Sequence, residues 1–182
     1  MSAVGWTVRN GIVPVLIAGL ATLLMAGPAN AHLMVSQRGT LKLGKGGYFF
    51  VVSIPVSAFE GIDDSGDGRL SPKELRTHDA TMKTAVRSGL VLDTGVDGPC
   101  VVEGLLLNLG HGHGRARTRA THVVAMGRFN VVDSDAPLTL KMTLFGKKKR
   151  EQAFEITLTR GKTKQVAILT PAAPTHALFT TK

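Results

Sequence analysis

The sequence predicts a mainly β fold, a single β-sandwich-like domain interrupted by one acidic loop and one α-helix. Three observations lead to this. Apolar and polar residues alternate with a period of two in several short stretches. Leu138, Leu140, Met142 and Leu144 are separated by Thr139, Lys141 and Thr143, and Phe154, Ile156 and Leu158 alternate with Glu155, Thr157 and Thr159. One buried face and one wet face is the behaviour of antiparallel sheet. Turn residues separate these stretches at 44–47, 97–99, 133–137 and 160–161. Helical periodicity is confined to one place, after residue 71.

Taken in order, the chain begins with Arg9, an apolar stretch at 11–27 broken by Pro14, and the small-x-small triplet Ala29-Asn30-Ala31. This is the layout of a secretory leader. Residues 1–31 are therefore expected to be a cleaved signal peptide, with His32 first in the mature chain and a periplasmic or secreted location. Residues 32–182 are expected to form a single β-rich domain, long enough for its own core. Strands are expected at 48–54, 101–109, 121–132, 138–145, 153–159 and 165–170, with short ones at 33–35 and 40–43. The lysine-rich 146–150 stretch reads as a charged hairpin turn between two strands, where lysines also discourage edge pairing. Cys100 is the single cysteine, so no intrachain disulfide forms, and its place before Val101 and Val102 suggests a buried thiol. The tail from Pro171 is expected to pack loosely or fray.

The stretch from Asp63 to Glu74 holds the densest chemistry. Counting Asp63 as position 1, Asp63, Ser65, Asp67, Ser71 and Glu74 put side-chain oxygens at positions 1, 3, 5, 9 and 12. Gly68 stands at position 6 and the aliphatic Leu70 at position 8. Calcium is a hard cation that takes six to eight oxygens. Alternate residues of a curling loop can supply that shell, provided a glycine permits the bend. Ser71 can cap the following helix, Pro72 suits its first turn and Glu74 stands at the capping-box position. Leu75, Met82 and Val86 then recur at helical spacing, so one helix is expected over 71–88.

On these residues the loop and its following helix resemble the EF-hand calcium-binding family, with the hand at about 57–88. The resemblance implies Ca²⁺ as cofactor. Its ligands would be Asp63, Ser65, Asp67, the Arg69 carbonyl, Ser71 directly or through water, and both carboxylate oxygens of Glu74. Ser65 departs from the Asp or Asn usual at position 3. The entering helix has room for about one turn after Pro55, and no second loop of the kind follows. A lone hand must therefore be braced by the rest of the domain. An affinity on the order of 10⁻⁴ to 10⁻³ M is implied, the range of extracellular modules.

The chain carries 22 Lys and Arg against 13 Asp and Glu, a net +9. Basic residues crowd Arg115, Arg117 and Arg119 and then Lys147, Lys148, Lys149 and Arg150. Export argues against nucleic acid. It leaves an anionic surface or a membrane protein partner as a reading for these clusters, beside plain solvated turns. Oligomeric state is not legible. A competing metal site joins His32, as an N-terminal chelate, to His111 and His113 in a Gly- and Arg-rich loop, an arrangement suited to copper or zinc. N-terminal His is also used by exported copper carriers and polysaccharide monooxygenases, which this one residue resembles. No catalytic constellation is recognisable, so the chain is expected to bind and not to be an enzyme.

Overall fold

In the computed structural model, residues 37–95, 98–110, 119–131 and 137–179 are described. In chain order the strands are β1 (Arg38–Gly44), β2 (Gly47–Pro55), β3 (Leu90–Asp93), β4 (Val102–Gly110), β5 (His122–Phe129), β6 (Leu138–Met142), β7 (Phe154–Arg160), β8 (Thr163–Leu169) and β9 (Thr175–Leu178). Two helices, α1 (Pro72–Thr77) and α2 (Asp79–Gly89), lie between β2 and β3. The strands form a six-stranded sheet in the order β4-β5-β2-β1-β7-β8 and a three-stranded sheet in the order β3-β6-β9. All neighbours are antiparallel except β1 and β7, which run parallel with Gly39 opposite Ile156. The described residues are mainly β, as the alternation requires, and belong to one compact unit, Leu33–Lys182.

The period-two pattern decides which face goes inward. On the large sheet Leu41, Phe50, Val52, Val123, Ala125, Ile156 and Leu158 are buried. On the small sheet Leu90, Leu92, Leu138, Leu140, Met142 and Leu178 are buried, and both sets share one apolar cluster. Phe50 and Phe129 meet with ring centroids 4.9 Å apart at its heart. Met82 and Val86 of α2 and Ile62 and Leu70 of the acidic loop join the same cluster. Each such side chain adds roughly 1.5–3 kcal/mol when fully buried. Among the described residues no helix is long and apolar enough to cross a membrane.

Several expectations are corrected. The helix over 71–88 is two helices, because His78 leaves the helical well at φ −104°, ψ 11°. A bend between Leu75 and Met82 leaves the apolar spacing intact, which is why periodicity hides it. The 146–150 stretch is no hairpin turn: β6 pairs with β3 and β9, and the chain crosses to the large sheet before β7. Alternation marks a strand but does not choose its partner. The tail does not fray before Leu178, since β9 pairs with β6 and buries Leu178. Cys100 is only partly buried. Strand β3 was not expected, and its four residues are too short to show a period. The leader at 1–31, His32, the 33–35 strand, Arg115, Arg117, His111 and His113 lie outside the described residues.

Candidate metal centre

The acidic loop is pinned at both shoulders by burial, with Ile62 and Leu70 fully in the core. Between them the backbone must curl tightly. Gly66 and Gly68 sit at φ +69° and +74°, a conformation that costs other residues about 1–2 kcal/mol each. The Asp63 carboxylate organises the curl. Its Oδ1 accepts from Ser65 Oγ at 3.1 Å and from the Asp67 N–H at 3.3 Å, and its Oδ2 accepts from the Gly68 N–H at 2.7 Å. The alternation of oxygen-bearing residues thus wraps around position 1.

Glu74 closes the far side. It is 6% exposed, and its Oε1 accepts from the Ser65 N–H at 3.1 Å while its Oε2 accepts from the Ser71 N–H at 2.8 Å. Ser71 Oγ accepts in turn from the Glu74 N–H at 3.2 Å, completing the capping box at the start of α1. The hydrogen bonds from Ser71, and then those from Ser65, outweigh burial and hold the Glu74 carboxyl down at about pKa 2. Glu74 therefore joins the two ends of the loop as an anion.

Asp67 faces differently. Its Oδ1 accepts from the Arg69 N–H at 2.9 Å, and its Oδ2 accepts from Arg119 Nη1. Desolvation pushes the Asp67 carboxyl up, but the hydrogen bond and charge of Arg119 and the Arg69 N–H outweigh it and lower the pKa. Asp64 turns outward, and its Oδ1 lies 2.9 Å from His78 Nε2. The loop is also braced from outside: Leu70 and Ala120 exchange N–H···O bonds of 2.8 and 2.9 Å, an isolated antiparallel bridge.

Of the residues singled out for calcium, Asp63, Ser65, Ser71 and Glu74 are linked to one another directly. Asp67 donates its N–H to Asp63 but turns its carboxylate to Arg119, and the exposed Arg69 contributes through its backbone. Among the described residues no three His, Cys, Asp or Glu side chains converge closely enough to hold a metal ion. The physical reason is plain: carboxylates repel, and here each is satisfied by N–H groups or a guanidinium. The donor set nevertheless suits Ca²⁺, being all oxygen and including hydroxyl and carbonyl donors beyond the acids. Within that set Asp67 is the acid already held by a cation, Arg119.

Arg119, His78 and Ala120 were not attached to the loop by sequence reasoning. Arg119 stands 52 residues from Asp67, and its place in a basic cluster gave no hint of an acidic partner. Lys147, Lys148, Lys149 and Arg150 are exposed at a short 3₁₀ turn. A second surface feature is an open apolar groove of about 460 Å³ lined by Phe49, Val51, Met126 and the Glu103–Arg128 ion pair. The hydrogen bond from Arg128 lowers the Glu103 pKa, so this pair neutralises itself. No protein-family model matches the chain, and no curated protein matches it.

Proposed function

We propose that the chain is an exported calcium-binding protein, periplasmic or secreted, in which one EF-hand loop at 63–74 holds Ca²⁺ weakly and orders the start of the helices behind it. The observation that carries this reading is the Asp63 carboxylate gathering the N–H groups of Asp67 and Gly68, while Glu74 spans Ser65 and Ser71 across the loop. That curl links Asp63, Ser65, Ser71 and Glu74 across the loop, while Asp67 holds Arg119. Asp63, Ser65, Asp67, the Arg69 carbonyl, Ser71 and Glu74 would hold the ion. Calcium supplies positive charge where three carboxylates otherwise repel.

The protein's own residues do the rest. Glu74 belongs at once to the loop and to the capping box of α1, so a metal-bound Glu74 ties loop closure to helix initiation. The bridge from Leu70 to Ala120 supplies the bracing that a partner hand gives elsewhere. The role is binding, and no catalytic step is assigned. Calorimetric titration of the chain from His32 with CaCl₂ tests the reading. One saturable event with a Kd on the order of 10⁻⁴ to 10⁻³ M is expected, and it should vanish in Glu74→Gln. Absence of binding up to several millimolar, roughly the weak limit for such loops, would overturn it.

A further inference from the structure

The loop already carries a cation of its own. Asp63 and Glu74 are faced by N–H and O–H dipoles, whereas Asp67 Oδ2 is faced by the full charge of Arg119. That guanidinium is held near the loop by its backbone. Ala120, the next residue, is bonded to Leu70 in both directions, and the Thr121 carbonyl accepts from the Val56 N–H at 3.0 Å. Arg119 is thus tethered beside position 5 of the loop, and its contact with Asp67 is an intramolecular one with a high effective concentration.

From this geometry we propose that Arg119 is an internal counter-cation that competes with Ca²⁺ for Asp67 and sets the weakness of the site, an inference that rests on the calcium reading above. Asp67 Oδ1 is already engaged by the Arg69 N–H, so Oδ2 is the oxygen left for a strong external charge. A guanidinium and a divalent ion on the same carboxylate repel each other. Calcium entry therefore breaks the Arg119–Asp67 pair, and loss of calcium restores it. The loop exchanges one cation for another, which keeps Asp67 compensated in either state and lowers the net gain from calcium.

The pair is partly exposed, at 45% for Arg119 and 33% for Asp67. Exposed pairs of this kind change an equilibrium constant by about two- to fivefold. Removing a neighbouring positive charge adds to that, so Arg119→Gln is expected to tighten calcium about three- to tenfold. Arg119→Lys keeps the charge but loses the planar fork, and should fall between. Lys162→Gln, in the exposed turn between β7 and β8, makes the same change in net charge far from the loop in sequence and should leave affinity unchanged.

The experiment is calorimetric titration of CaCl₂ into wild type, Arg119→Gln, Arg119→Lys and Lys162→Gln. Tightening in Arg119→Gln, less of it in Arg119→Lys and none in Lys162→Gln supports the exchange. If wild type binds and Arg119→Gln binds equally or more weakly, the inference is overturned and the calcium reading stands. Equal tightening in Lys162→Gln also overturns it, since net charge would then be the cause. If neither wild type nor Arg119→Gln binds, the calcium reading fails and takes the inference with it.

Discussion

Two buried glutamates close two turns of this protein, and the same device has different consequences at each. Glu74 is 6% exposed and Glu151 is 8% exposed, and both stand at the third position of their turn and accept from the backbone N–H of the residue that precedes it. Glu74 caps a helix from within an acidic loop, and each of its oxygens accepts from a loop N–H. Glu151 sits in a basic stretch. It accepts from Ser57 Oγ at 2.6 Å and from the Lys148 N–H at 3.3 Å, with Lys148 Nζ 3.9 Å away. Ser57 lies just after β2, so Glu151 fastens the sheet-to-sheet crossing to the end of a central strand. Glu151 thus has cationic and hydroxyl neighbours that complete it. Glu74 has the Ser65 and Ser71 N–H groups as partners for its oxygens, inside the loop proposed above to take calcium.

Substitution by alanine should separate the two most widely. Glu151→Ala leaves Ser57 Oγ and the Lys148 N–H short of a partner in a partly buried place, a loss of about 2–3 kcal/mol. Glu74→Ala without calcium leaves the Ser65 and Ser71 N–H groups without the carboxylate, beside an exposed loop where water can replace it, a loss of about 1–2 kcal/mol. Chemical denaturation in the presence of a chelator measures both, and a larger loss at Glu74 would break the contrast.

One glycine in each of the two regions sharpens it. A Cβ on Gly146 would stand 2.4 Å from Glu151 Oε2 and 2.7 Å from Ser57 Oγ, so Gly146→Ala should cost about 1–3 kcal/mol by crowding. A Cβ on Gly66 meets nothing within 4 Å, and Gly66→Ala should cost about 1 kcal/mol through its positive φ alone. Equal losses in denaturant midpoint would show that packing around Glu151 is looser than the distances imply.

Acid should act through Glu74. Its folded carboxyl, at about 2, lies below the ordinary 4.5. The stability it contributes is therefore full above about 4.5 and is lost as pH falls from there toward 2. Melting curves across that window should fall less steeply for Glu74→Gln than for wild type. Identical slopes would contradict the hydrogen-bond assignment. The smallest effect is expected at His78. Its contact with the outward-facing Asp64 is an exposed pair, so His78→Ala should change stability by less than about 1 kcal/mol.

The parts legible in the sequence are those governed by near neighbours. Alternation from Leu138 to Met142 and from Phe154 to Leu158 marks β6 and β7, because period two follows from the strand itself. The Ser71–Glu74 box and the glycine-bent curl after Asp63 are likewise local. What escaped depends on topology. Ser57 and Glu151 are 94 positions apart, and Arg119 and Asp67 are 52 apart. Both contacts follow from which strands neighbour one another. The β9 strand was obscured by Pro171 and Pro174, which mark a turn and say nothing of the pairing that follows at Thr175.

The central claim, that Glu74 closes a calcium site while Glu151 closes only the fold, is tested most directly by melting wild type, Glu74→Gln and Glu151→Gln with and without calcium. At a calcium concentration roughly thirty times Kd the site should add about 2 kcal/mol. That corresponds to a rise of roughly 4–8 °C for a domain of this size. The account predicts that rise in wild type and in Glu151→Gln, and none in Glu74→Gln. A rise of the same size in all three, or in none, would contradict it.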